Sequence, residues 1–131
     1  MSSAKRIIAV PDLASTEPLG FAQCVGAGEF VFVAGQTGIN ADWDLVGLDF
    51  TSQARQVLDN LGIALRAAGS TMQDIVSMTC FFADPRHVRE FTELRQEAME
   101  GALCASTAIC GVSFVIPGLL LEVEAIAVRP S

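Results

Sequence analysis

The sequence predicts a single α+β domain over residues 1–131, with one mixed sheet and two helices packed on the same face of that sheet. Three observations predict it. The length of 131 residues, 51% of them hydrophobic, suits one core. Strand and helix patterns alternate in the order βββαβαββ. Each helix pattern has one apolar stripe, so we expect the helix-free face of the sheet to be covered by a neighbouring molecule.

The first half of the chain shows a hairpin followed by a helix. An aromatic and β-branched run at residues 30–34 follows a shorter run at residues 21–25, with a Gly26-Ala-Gly28 turn between them. From Asp49, apolar residues recur at three- and four-residue steps as far as Ala68, which predicts the first helix. Asp49 or Thr51 is expected to cap its start, and Gly69 to follow its end.

The second half repeats the change from strand to helix. Alternation predicts a largely buried strand at residues 75–82, stopped by Asp84-Pro85. A weaker amphipathic pattern over residues 88–98 predicts the second helix. Two final strands are predicted at residues 107–111 and 119–128, on either side of a Pro117-Gly118 turn.

Composition excludes several classes of function. The chain has 8 Lys and Arg against 15 Asp and Glu, a net charge of −7, which disfavours nucleic acid and anionic membranes as partners. No apolar run approaches the roughly 20 residues of a membrane span, and the N-terminus lacks a signal-like apolar segment. We therefore expect a soluble, cytoplasmic protein. Because 51% hydrophobic content with 18% charged residues leaves apolar surface to cover, we also expect a homo-oligomer.

Cysteine and histidine give little support for a metal site. No two of the four cysteines have the spacing of a zinc knuckle, and the chain has a single histidine. Cys80 and Cys110 are interpreted as small hydrophobic residues inside strands, whereas the roles of Cys24 and Cys104 stay open. His87 is predicted to be a solvated or helix-capping residue.

Two acids in the final strand are the most unusual local feature. Period-two geometry places Glu122 and Glu124 on one face with Leu120 and Ile126, while Leu121, Val123 and the following alanines point the other way. One interpretation is a solvent-facing strand with ordinary outward acids. The other is that one acid lines a pocket, where apolar surroundings raise its pKa and allow it to orient water.

Several segments together resemble the YjgF or Rid (reactive intermediate deaminase) family. They are Ala34-Gly-Gln-Thr-Gly38, Gln53-Ala-Arg-Gln-Val-Leu-Asp-Asn60, Ala67-Ala-Gly69 with Asp74-Ile-Val76, and Glu122-Val-Glu-Ala-Ile-Ala127. The resemblance extends from Ile7 to Val128. It implies a chorismate-mutase-like fold assembled as a homotrimer, with the sheets forming a central barrel and three clefts between subunits.

The resemblance also implies a function: hydrolysis of small imines or enamines to a carbonyl compound and ammonia, without a metal or organic cofactor. Glu122 matches the acid that positions water. Ser106, in the segment Cys104-Ala105-Ser106, stands where active relatives carry the arginine that binds the substrate carboxylate. Phe21, Thr92 and Ala108 stand where many or some members carry Tyr, Asn and Cys. The remaining expected substrate contacts are Ala34, Gly35, Cys104 and Thr107.

Replacement of that arginine by Ser106 predicts a substrate less acidic than the usual 2-imino acid, because one neutral hydroxyl replaces a charged fork. Arg86, Arg89 and Arg95 could supply another cation, but helical periodicity places them on the solvated side. Cys104 is either a nucleophile or a packed thiol with no adjacent base. The alternative function is a trimer that binds a small metabolite without turnover. Ribonuclease activity is disfavoured by the charge and the missing histidine pair.

Overall fold

One six-stranded sheet with the strand order β1-β2-β3-β6-β4-β5 forms the framework of the protein. The computed structural model describes residues 4–130, so residues 1–3 and 131 of the predicted domain lie outside the described residues. β4 and β5 are parallel and the other neighbours are antiparallel, which confirms a mixed sheet. The elements are β1 (Arg6–Ile7), β2 (Cys24–Ala27), β3 (Phe30–Gln36), α1 (Phe50–Ala67), β4 (Ile75–Phe82), α2 (Val88–Ala98), β5 (Ala105–Cys110) and β6 (Leu121–Val128).

The predicted order βββαβαββ is confirmed, and four strands differ in their bounds from the predicted runs. β3 continues two residues further than predicted, to Gln36. β2 begins at Cys24 because Thr16 Oγ1 donates to the carbonyl of Phe21, at 2.8 Å, and holds residue 21 in the preceding turn. β5 spans residues 105–110 and ends before Gly111, whose φ is +77°. β6 begins two residues later than predicted because the N–H of Leu119 bonds back across the Pro117-Gly118 turn.

α1 has the predicted cap and the predicted buried stripe. The Asp49 carboxylate accepts a hydrogen bond from the Ser52 N–H at 2.9 Å, and Gly69 follows the helix with a φ of +80°. Its inward side chains are fully buried: Ala54, Val57, Leu61, Ala64 and Leu65. The stripe therefore holds α1 against the sheet through apolar burial.

Both helices pack on one face of the sheet, as predicted. Phe50 of α1 stacks on Phe82 of β4 with ring centroids 6.3 Å apart, and Phe91 of α2 meets the same ring edge-on at 5.7 Å. The strand residues on this side are buried: Val31, Val33, Met78, Cys80, Phe82, Leu121, Val123 and Ala125.

On the opposite face of the sheet, no helix of the part of the chain that the structure describes is packed, which confirms that part of the prediction. Phe32 of β3 is 41% exposed on this open face, beside exposed Glu124 of β6. β5 forms an edge of the sheet, and all of its residues are exposed. Exposed apolar strand surface of this kind favours association with another copy. No helix among residues 4–130 has the length and apolar composition needed to cross a membrane.

Gln53 connects α1 to the beginning of β6. Its side chain is fully buried, and Nε2 donates to the carbonyls of Gly47 and Gly118 at 2.9 and 2.8 Å. Oε1 accepts from the N–H of Leu120 at 2.8 Å. The amide therefore satisfies three backbone groups and fixes the turn that leads to Glu122.

The substitution Gln53→Leu is expected to lower the free energy of unfolding by about 3 kcal/mol, because buried backbone groups lose their partners. Chemical denaturation checks this. Gln96→Leu is the matched control, since that glutamine is exposed on α2, and its effect should stay within about 0.5 kcal/mol. Equal effects of the two changes would contradict the role given to Gln53.

Candidate functional site

A small cavity of about 210 Å³ opens beside β6 and contains Glu122 in its lining. The ionisable lining residue is Glu122, and most of the remaining lining is apolar. The large apolar side chains that face the cavity are Leu19, Phe21, Ile39, Trp43, Val115, Ile116 and Leu119. A concave, mainly apolar site with one acid is the usual form of a small-molecule site.

The polar side chains of this lining are mostly occupied with one another. Gln36 Nε2 donates to Gln23 Oε1 at 2.8 Å, and Gln23 Nε2 donates to the carbonyl of Ala14 at 3.0 Å. Asn60 Nδ2 donates to the carbonyl of Ile39 at 2.9 Å. These hydrogen bonds hold the amide side chains of the cavity wall in place. Glu122 is the acidic side chain of this lining that a ligand could contact.

Glu122 combines partial burial with a like charge nearby. It lies in the register position opposite Phe81 of β4, and alternation along β6 turns its side chain to the open face while Leu121 and Val123 are buried. Burial raises the pKa of the Glu122 carboxyl above its ordinary value, and the nearby Glu124 carboxylate raises it further. The carboxylate is thus a stronger base than an exposed one.

Gly35 lies directly against the Glu122 carboxyl group. A Cβ at position 35 would clash with Glu122 Oε2 and lie 2.8 Å from its Cδ. The absence of a side chain at Gly35 therefore lets the carboxylate rest on the β3 backbone, close to the cavity.

We expect Gly35→Ala to displace the Glu122 carboxylate and to reduce at least about 10-fold any reaction that depends on its position, since small displacements of reacting groups are costly. Thermal stability should change little, because the clash is with the end of a flexible side chain. The control is Gly62→Ala on α1, where a Cβ would meet Arg66 Nη1 at 3.1 Å, away from the cavity. Full activity in Gly35→Ala would show that the carboxylate position does not matter.

The residues expected at the site fall into two groups in one chain. Phe21 and Gly35 line the cavity with Glu122, and Ala34 lies next to Gly35 on the open face. The second group lies on α2 and around the edge strand β5: Thr92, Cys104, Ser106, Thr107 and Ala108. Thr92 Oγ1 donates to the carbonyl of Val88 within α2, at 2.9 Å.

The β4–β5 register explains this separation. Ser106 is paired with Met78 on β4, whereas Glu122 is opposite Phe81. Met78 and Phe81 are an odd number of positions apart, so Ser106 and Glu122 face opposite sides of the sheet. One chain therefore does not bring the two groups into a common cavity.

Comparison with known proteins identifies the family. The family model described as "Endoribonuclease L-PSP" matches residues 14–129, which include both groups of site residues. The chain belongs to this YjgF/RutC/Rid family.

Named relatives of this Rid-family chain cover most of its length. A RutC family protein of Pyrococcus horikoshii is 33% identical over 115 residues, covering 86% of this chain and 90% of the relative. A Mus musculus protein named 2-iminobutanoate/2-iminopropanoate deaminase is 31% identical over 110 residues, covering 83% and 81%. The Rid-family protein YyfA of Yersinia pestis has a solved structure with a TM-score of 0.89, 30% identity, and coverage of 95% and 99%.

The prediction that Arg95 is solvated is wrong for this Rid-family chain, although Arg86 and Arg89 are exposed as predicted. Arg95 is half-buried, and its Nη1 donates to Ser106 Oγ at 2.7 Å. Arg95 follows buried Phe91 by four residues, so it lies beside the buried stripe of α2. Its long side chain then reaches across the sheet edge, which a helical wheel does not show.

The cysteines of the family member differ in burial. Cys24 and Cys80 are buried, and burial raises the pKa of each thiol to about 11. Cys104 is half-buried, and burial raises its pKa too, with Arg95 opposing the effect; this favours the packed thiol over the nucleophile. Cys110 lies in a strand, as interpreted, but it is exposed because β5 is an edge strand.

His87 also differs from the prediction. It precedes α2 without a side-chain cap, and its half-buried ring stacks on Phe50 at 4.4 Å between centroids. The imidazole is therefore part of the packing between the helices and β4 and lies outside the cavity lining.

Trp43 is a cavity residue that the sequence reasoning missed. Its φ is +66°, in a turn where Asn40 Oδ1 accepts from the N–H groups of Asp42 and Asp44 at 2.9 and 3.0 Å. The available signal was the single tryptophan of the chain placed in an acidic loop, where a large aromatic residue suggests contact with a ligand or partner.

Proposed function

We propose that this chain is a cofactor-free hydrolase that deaminates a small imine or enamine, with Glu122 positioning the attacking water. The observation that carries the proposal is the half-buried Glu122 carboxylate, held on Gly35 beside a small apolar cavity. Relatives named 2-iminobutanoate/2-iminopropanoate deaminase support this class of reaction.

The raised pKa of Glu122 suits both proton transfers of imine hydrolysis. Water attacks the carbon of a protonated imine, the C=N electron pair moves to nitrogen, and the Glu122 carboxylate accepts a proton from the water. The resulting carboxylic acid then protonates the amino group. The C–N bond breaks, the remaining hydroxyl forms the carbonyl, and its proton leaves with the ammonia as ammonium.

The cavity indicates the size and polarity of the substrate side chain. A volume of about 210 Å³ accepts a few heavy atoms. Phe21 and Leu119 present apolar surface there, and Phe21 offers no hydroxyl. We therefore propose that the imine carries a short apolar substituent, which these side chains exclude from water.

A second copy of the chain completes the proposed site. The open sheet face with Phe32 and the exposed β5 edge are surfaces that association would cover. Ser106 and Ala108 of β5 face the helix side of the sheet, whereas Glu122 faces the open side, so they meet only if the β5 edge of one copy faces the cavity of another. We propose that this assembly is the homotrimer that the sequence resemblance implies, with a cleft between each pair of subunits.

Generating 2-iminobutanoate or 2-aminoacrylate in situ from an amino acid tests the activity. The chain should accelerate release of the 2-oxo acid and of ammonia in equal amounts above the rate in buffer. A ligand that raises the melting temperature and is recovered unchanged would instead support the metabolite-binding trimer. No acceleration with any small imine would overturn the proposed hydrolase.

RNA cleavage, which the description of the family model names, has less support in this chain. The net charge is −7, and the single histidine is stacked on Phe50. Binding of a phosphate backbone needs a positively charged surface. General acid–base cleavage of RNA needs side chains that are free to transfer protons to the substrate.

A further inference from the structure

Arg95 is the cation that the structure places at the β5 edge. Its Nη1 donates to Ser106 Oγ at 2.7 Å and lies 3.8 Å from Met78 Sδ and 3.9 Å from Cys80 Sγ. Its Cζ is 5.6 Å from the centroid of the Phe91 ring. The Arg95 guanidinium is thus held between α2 and the neighbouring strands β4 and β5.

These contacts leave the charge of Arg95 without a carboxylate partner. Within residues 4–130, the ion pair of the chain is Arg86 with Asp84, in which Arg95 has no part. The contacts of Arg95 Nη1 are one neutral hydroxyl, that of Ser106, and two weak sulfur acceptors. Because a guanidinium carries five N–H donors, these contacts do not use its full capacity to bind an anion.

Ser106 orients the guanidinium. The Ser106 hydroxyl accepts a hydrogen bond from Arg95 Nη1. Because the guanidinium is planar and rigid, this bond also restricts the directions of its remaining N–H groups. A guanidinium fixed in this way is suited to a planar anion, because two parallel N–H groups can bind both oxygens of a carboxylate. Fixing it beforehand also lowers the entropy lost when the anion binds.

We propose that Arg95, oriented by Ser106, binds the carboxylate of an anionic substrate, so that this chain acts on 2-imino acids. This inference rests on the proposed hydrolase function and on the assembly that places one copy's β5 edge at another copy's cavity. It reverses the expectation from Ser106 alone: the cation is supplied from α2, and the serine positions it.

Ligand binding tests the inference independently of turnover. Trp43, the single tryptophan, lines the cavity and reports occupancy by its fluorescence. The probes are 2-oxobutanoate and its methyl ester, which differ in the negative charge. Arg95→Ala should weaken binding of 2-oxobutanoate about 10- to 100-fold and leave binding of the ester unchanged. Arg95→Lys should recover part of the loss, and the control Arg89→Ala, exposed on the same helix, should bind both probes like the unaltered chain.

Turnover gives a second readout. With 2-iminobutanoate, Arg95→Ala should raise KM by a similar factor with little change in kcat, because carboxylate binding is shared by the ground state and the transition state. Equal losses for the acid and the ester would show a structural role for Arg95 and overturn the inference. An unaltered chain that does not bind 2-oxobutanoate would overturn it as well.

The outcomes separate this inference from the proposed function. Binding of 2-oxobutanoate that depends on Arg95, without hydrolysis of any imine, would support the anion site and contradict the hydrolase. Imine hydrolysis with the same KM in Arg95→Ala and in the unaltered chain would support the hydrolase and contradict the anion site.

Discussion

Glu122→Gln is expected to lower kcat for imine hydrolysis by about 10²- to 10⁴-fold, the usual contribution of a general acid–base group. The amide has nearly the same shape as the carboxyl group, but it cannot accept a proton from water or deliver one to the amino group. Because Glu122 is half-buried and lies outside the main core, the melting temperature should stay close to that of the unaltered chain. Steady-state kinetics and a thermal melt measure the two quantities.

Glu124→Gln is the matched control, two positions along the same strand face. It should keep most of the activity at a pH well above the pKa of Glu122. The Glu124 carboxylate raises the pKa of Glu122, so replacing Glu124 with a neutral glutamine should lower the pKa of Glu122. Activity requires the carboxylate form and falls as the pH falls; the acid side of the pH profile should therefore move to lower pH. Equal loss in both variants, or unchanged kcat in Glu122→Gln, would remove Glu122 from the reaction.

Phe32→Asp should dissociate the proposed trimer and abolish most of the proposed hydrolase activity. Phe32 is 41% exposed on the open face in a single chain, so the substitution leaves the core intact. In the proposed trimer the same position is covered by other copies, and three unpaired carboxylates buried together would be strongly unfavourable. Light scattering after gel filtration should change from three times the chain mass to the mass of one chain.

Phe32→Leu is the control for this change, because it keeps an apolar side chain at the position and should stay trimeric. Far-UV circular dichroism confirms that the Phe32→Asp chain is folded. A folded Phe32→Asp protein with the original mass and activity would show that the open face is not the subunit interface.

Most of the fold could be predicted from the local periodicity of apolar residues. The three- and four-residue spacing in α1 and the alternation around Glu122 in β6 are both confirmed, because each depends on which side of one element is buried. Turn residues were also informative, since Asp49 caps α1 and Gly69 follows its end with positive φ. Such signals are local, so a single sequence contains them.

Contacts between distant segments were the source of the errors. The exposure of Cys110 follows from the position of β5 at the sheet edge, which depends on the pairing order of all the strands. His87 stacks on Phe50, a partner on the other helix. Arg95 was assigned to solvent because periodicity describes where Cβ points and not how far a long side chain extends.

The candidate site was predictable only in part for the same reason. Glu122, Phe21 and Gly35 do share one cavity, although neither alternation nor turn signals relate these three residues to one another. The resemblance of the whole chain to a family connected them. Trp43 was not predicted as a cavity residue, because its position depends on a loop in which its own φ is positive, and no periodic pattern describes such a loop.

The central claim is that Glu122 of one copy works with Arg95 of another, and mixing two impaired variants tests it most directly. Glu122→Gln and Arg95→Ala chains are unfolded and refolded together in equal amounts, then assayed at a 2-imino acid concentration below KM. If each cleft takes the two residues from different subunits, about one cleft in four has both, so the mixture should recover about a quarter of the unaltered activity. Activity no higher than the mean of the separately refolded variants would contradict the claim.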